Sequence, residues 1–153
     1  MKGARMLQGK DLRHYRIFMQ LVDDELEAIA PLGKEGSYEV GTRVITEGEP
    51  ANYLYLIKKG KLQVKMTAAS GQEIVLDEVG PGMSVGWSSL AERRISTASV
   101  DVAEEAELIA FESERMQRLF KDECRIGYGV MRGLVMVVSR RLDMCRSRTA
   151  ARQ

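Results

Sequence analysis

Gly86, Trp87, Ser88, Ser89 and Leu90, followed shortly by Ser96 and Thr97, are the residues whose types and spacing suit the holding of an anion. A glycine leading into a short helical turn with two hydroxyl residues offers backbone N–H groups and hydroxyl donors to phosphate oxygens. The charged partner that such a site would use is absent: neither Pro81 to Leu90 nor Ile95 to Val100 contains an acidic or basic residue. Arg93 and Arg94 stand between the two stretches, either as solvated loop residues or as substitutes that reach in. Ser88 and Ser89 fit equally well as helix-capping hydroxyls. Trp87, the only tryptophan, either plugs the pocket or forms an aromatic wall for a flat ligand.

No other chemistry is suggested. His14 is the only histidine, and no nucleophile with a base, no paired carboxylates and no Cys/His metal spacing accompany the turn, so catalysis and a bound metal are not expected. Cys124 and Cys145, about 30 Å apart along one helix at ~1.5 Å per residue, cannot pair with each other. They are either buried or idle thiols, or Cys145 joins its counterpart across a dimer.

The elements that would position the turn follow from periodicity. Apolar residues from Leu12 to Ala30 recur at three- and four-residue steps, predicting a helical pair over about 10–32, broken near Val22 and capped by Asp23 or Asp24. From about 36 to 112 the period falls to two and glycine turns recur, predicting an antiparallel barrel or sandwich. Leu62, Val64 and Met66, like Ala98, Val100 and Val102, alternate with polar neighbours, Ser99 among them, whereas Tyr53 to Ile57 is apolar throughout and reads as a strand covered on both faces. Helical spacing returns over about 113–148. There Met131, Leu134, Val138, Leu142 and Cys145, widened by Val130, Val135 and Val137, form a stripe broad enough to predict a homodimer through this helix.

The chain has 153 residues, one domain's worth, with 23 Lys and Arg against 22 Asp and Glu. That balance gives no general attraction to nucleic acid or to an anionic membrane. Arg140, Arg141, Arg146, Arg148 and Arg152 make a basic tail, read as solvated, and nucleic acid is not an expected partner. The N-terminal segment has no signal-peptide core and no run is long enough to cross a membrane, so a cytoplasmic location is expected.

The run F-M-Q-L-V-D-D-E-L-E-A-I-A-P-L, leading to Y-E-V-G-T-R-V-I-T-E-G-E-P-A-N-Y-L-Y-L-I-K-K-G-K-L-Q-V, resembles the cyclic nucleotide-binding domain of catabolite-activator-type regulators and kinase regulatory subunits. Gly41, Glu47-Gly48, Tyr55, Ile57 and Gly60 fall where that family places them, over roughly residues 17–145. The resemblance implies a mainly β fold with flanking helices, an antiparallel barrel of the double-stranded β-helix or jelly-roll type, and a non-catalytic ligand-sensing role relayed through the C-terminal helices. It makes Gly86 to Leu90, Ser96 and Thr97 the phosphate-binding cassette. Trp87 then stands where the family's glutamate binds a ribose hydroxyl, and Ser96 where its arginine neutralises the cyclic phosphate. Losing both charge-assisted contacts should cost a cyclic nucleotide about one to two decades of affinity per contact, so the expected ligand is a cyclic nucleotide held weakly, a related small anion, or none. The last case would leave a ligand-free interaction module.

Overall fold

The computed structural model describes residues 5–151; Arg152 of the basic tail lies outside them. The N-terminal helical pair is more broken than the spacing predicts. Helix α1 (Gly9–Leu12) and helix α2 (Asp23–Ile29) are joined and followed by single 3₁₀ turns at Arg16–Phe18 and Ala30–Leu32. Val22, not Asp23 or Asp24, is the N-cap of α2; its N–H donates to Glu25 Oε1 at 3.0 Å, and the three acidic residues of the first turn oppose the positive end of the helix.

Six strands follow: β1 (Gly33–Tyr38), β2 (Arg43–Ile45), β3 (Tyr53–Thr67), β4 (Glu73–Val79), β5 (Ser84–Val85) and β6 (Ser99–Glu112). All pairings are antiparallel, and the expected barrel does not close: the hydrogen-bonded path runs β1-β6-β3-β4, with β2 also on β6 and β5 also on β3. The fold is mixed α/β with an open sheet. The reason lies in the long β3–β6 ladder. β1 pairs the half of β6 opposite Leu54 to Ile57, while β4 pairs the far half of β3, from Leu62 to Thr67, so the two outer strands are offset along the ladder. Register shifts between Ile57 and Leu62 bend β3 there. Gly60 sits in the bend with φ +94°, and a Cβ on it would meet the Glu105 carbonyl at 2.4 Å.

β3 divides two cores. Leu54 and Leu56 face α1, α2 and the C-terminal helices, with Phe18, Ile109, Phe111 and Met116, whereas Tyr55 and Ile57 face the inside of the folded sheet with Leu62, Val100, Val102 and Leu108. The strand over 54–57 is therefore covered on both faces, and only Tyr53 is open to water. Ser99, expected on a wet face, is buried and its Oγ accepts the Glu47 N–H at 2.9 Å.

Helix α3 (Ser113–Asp122) and helix α4 (Cys124–Ala151) complete the chain. Three glycines let α4 press close: Gly127 on Phe120, Gly129 on Leu21, and Gly133 on Ile17, whose carbonyl oxygen would lie 2.0 Å from an added Cβ. The apolar stripe is split. Val130, Met131, Leu134 and Val137 pack on the core and Val138 is half-buried, while Val135, Leu142 and Cys145 remain exposed, as do Met136 and Met144 outside the stripe. Among the described residues, no helix is long and apolar enough to cross a membrane.

Candidate functional site

Between β5 and α3 the chain makes one 3₁₀ turn, Trp87–Leu90. Gly86 starts it in the left-handed region, φ +85° and ψ 24°, against β3; a Cβ there would lie 2.5 Å from the Tyr53 carbonyl oxygen. Both the dihedral and the contact require glycine. The Ser89 N–H donates back to the Gly86 carbonyl at 3.0 Å. Gly86 is the N-cap and no side chain caps the turn, so the capping reading of Ser88 and Ser89 does not hold.

The candidate residues separate into two groups. Gly86, Trp87, Ser88, Ser96 and Thr97 line a cavity of about 40 Å³ at the end of the inner core, with Val85 and Val100 in its apolar wall. Trp87 is half-buried, Ser88 and Ser96 are buried and Thr97 is exposed at the rim. Ser96 is fixed by its backbone, which donates to Glu49 O at 2.9 Å and accepts from the Gly48 N–H at 2.8 Å. Ser89 and Leu90 do not reach the cavity. They tie the turn to α3: the Ser113 hydroxyl donates to the Ser89 carbonyl, and Gln117 Nε2 donates to the Leu90 carbonyl at 3.3 Å. The Ser89 hydroxyl is buried without a partner. Arg93 and Arg94 are exposed and line no part of the cavity.

A residue read from sequence as solvated tail completes the wall. Arg141, from the second half of α4, is the charged residue lining the cavity, and its Nη2 donates to the Ser84 carbonyl at 2.6 Å. Its Nε is buried with no acceptor. Burial pushes its guanidinium below the ordinary arginine range, against the opposing pull of the Asp77 carboxylate. The sequence carried one signal for this placement: Arg141 lies seven residues after Leu134 and four after Val137, both packed on the core, which puts it on the same helix face. On its other side Arg141 borders a groove of about 650 Å³, whose wall it shares with Ser84, Met83, Met136 and Met144. Among the described residues, no group of three or more His, Cys, Asp or Glu is placed to hold a metal.

Residues 35–123 match the family model described as the cyclic nucleotide-binding domain, and the chain belongs to that family. It is 32% identical over 130 residues to Glutaminase 2 of Bradyrhizobium diazoefficiens, covering 82% of this chain and 19% of that protein. It is 30% identical over 94 residues to the cyclic AMP receptor protein of Thermus thermophilus, covering 61% of this chain and 44% of that one. The chain thus spans less than half of either relative. A solved structure from Geobacter metallireducens, assigned to cyclic nucleotide binding, superposes with a TM-score of 0.80 at 25% identity, over 90% of this chain and 99% of its own. The domain is thereby related to catabolite-activator and kinase regulatory domains.

Proposed function

We propose that the domain senses a small anionic ligand, a cyclic nucleotide or a related phosphate compound, in the cavity beside Gly86 to Ser88, and signals through α3 and α4. The observation that carries this reading is that the cavity wall includes both the cassette turn and Arg141 of α4, so occupancy acts directly on the output helix. A ligand with different affinities for two positions of α4 shifts their populations. Trp87 and Ser96, in the places where the family's glutamate and arginine act, favour a ligand other than one gripped through those two charges. The exposed unpaired thiols of Cys124 and Cys145 fit a reducing, cytoplasmic setting. The test titrates cyclic mononucleotides and cyclic dinucleotides while following Trp87 fluorescence and the melting temperature. One of them should raise the melting temperature and shift the emission; no response across the panel overturns the sensing reading.

A second reading is favoured by the exposed Val135, Met136, Leu142 and Met144 on α4: the domain pairs with a second copy through this helix. Val135, Met136 and Met144 of this face also form one wall of the methionine-lined groove, so the same helix in a second copy, related by a two-fold axis, would cover face and groove together.

A further inference from the structure

We propose that Arg141 is the anion-binding cation of the cassette cavity: its guanidinium, delivered from α4, binds a phosphate-type oxyanion in place of a turn arginine at the position of Ser96. The inference rests on the ligand-sensing reading above and assigns the grip on the ligand to one residue of the output helix.

Three observations converge on it. The first is charge. Arg141 is the one charged group in the described lining of a cavity otherwise walled by apolar residues and by the neutral Ser88, Ser96 and Thr97, and an oxyanion is desolvated there only against a cation. The second is unfinished hydrogen bonding. A guanidinium carries five N–H donors in a planar fork, and here the Nε–H is buried with no acceptor while Nη2 holds the Ser84 carbonyl. Buried donors are normally paired, so a free one on a charged group beside a cavity marks a place for a ligand oxygen. The third is size. The cavity's 40 Å³ is roughly three waters' worth at about 10–15 Å³ each, the scale of one tetrahedral oxyanion; drug-sized ligands fill about 300–1,000 Å³. A nucleoside attached to that oxyanion has the 650 Å³ groove beyond Arg141, the residue that lines both the groove and the cavity.

The consequence is a direct bond between ligand and helix. Oxygen on the Nε–H holds the segment of α4 around Arg141 against the cassette, so affinity and helix position become linked quantities.

The test measures binding to the full chain by calorimetry with sodium phosphate, cyclic AMP and cyclic GMP, and compares Arg141→Gln with Arg146→Gln, an exposed arginine of the same helix that lines neither the cavity nor the groove. Arg141→Gln should weaken the bound probe about 10–100-fold and Arg146→Gln less than about 2-fold. Probe binding should slow amide exchange over residues 138–145 in the wild type and not in Arg141→Gln. Arg141-dependent binding of phosphate alone identifies a free oxyanion as sufficient; Arg141-dependent binding of only a cyclic nucleotide identifies a phosphodiester, and either supports the assignment. Unchanged affinity in Arg141→Gln overturns it and leaves the sensing reading intact, whereas absence of binding to the wild type by every probe, these and the wider panel, overturns both. Should Arg141→Gln fail to fold, Arg141→Lys, which keeps the charge and loses the fork, is read instead, with unchanged affinity again the overturning result.

Discussion

Asp101 takes two cations at once, Arg43 Nε at 2.7 Å and Lys65 Nζ at 2.9 Å, and Arg43 reaches on to Glu73 at 2.7 Å. The Arg43 hydrogen bond chiefly, helped by Lys65, holds the Asp101 carboxyl well below the usual range, at about 2. A carboxylate with a depressed folded pKa stabilises the fold above its unfolded value of about 4 and loses that contribution as pH falls through the folded value. The wild type should therefore lose about 1–2 kcal/mol of unfolding free energy between pH about 4 and 2 relative to Asp101→Asn, the partial exposure of Arg43 and Glu73 setting the discount. Urea unfolding of both proteins across that range measures it, and parallel curves would contradict it. At this scale the sequence was most ambiguous. The short helical turn after Gly86 was readable from its residue types, but Arg141 carries the same letter as its solvated neighbours and differs only in helix phase. Ser99 was misjudged because alternation reports which face a residue is on, not whether another strand covers that face.

Helix α4 bears glycines where propensity alone would place other residues, each costing about 1 kcal/mol against alanine in a helix interior. Close approach explains them: Gly129 and Gly133, one turn apart, let the helix lie on Leu21 and on the Ile17 backbone. Gly133→Ala should lower stability by about 1–3 kcal/mol despite its better propensity, because the new methyl meets a carbonyl fixed in the Arg16–Phe18 turn. Thermal melting decides, and a raised melting temperature would show that the contact relaxes freely. Element types were legible where a period was long and clean, as in β3, β6 and α4. Boundaries were not, because the N-terminal pair is held as short turns by tertiary packing of Leu12, Phe18 and Leu26 rather than by local propensity.

Over the whole molecule, alternation showed that strands had one covered face but could not show whether the outermost two would meet. Closure depends on the offset of β1 and β4 along the β3–β6 ladder, a long-range quantity that period and turn signals do not encode. Self-association belongs to this scale as well. If α4 pairs with a second copy, Val135→Asp combined with Met136→Glu should convert a dimer into a monomer in sedimentation equilibrium with little change in melting temperature, since both side chains are exposed in the single chain. A wild type that is monomeric at high micromolar concentration would sink that reading. The close seat of Gly133 on Ile17 has a mechanical consequence. Were α4 to pivot there, Arg141 would stand about 12 Å beyond the pivot and Ala151 about 27 Å at ~1.5 Å per residue, so each ångström moved at Arg141 would become more than two at the tip.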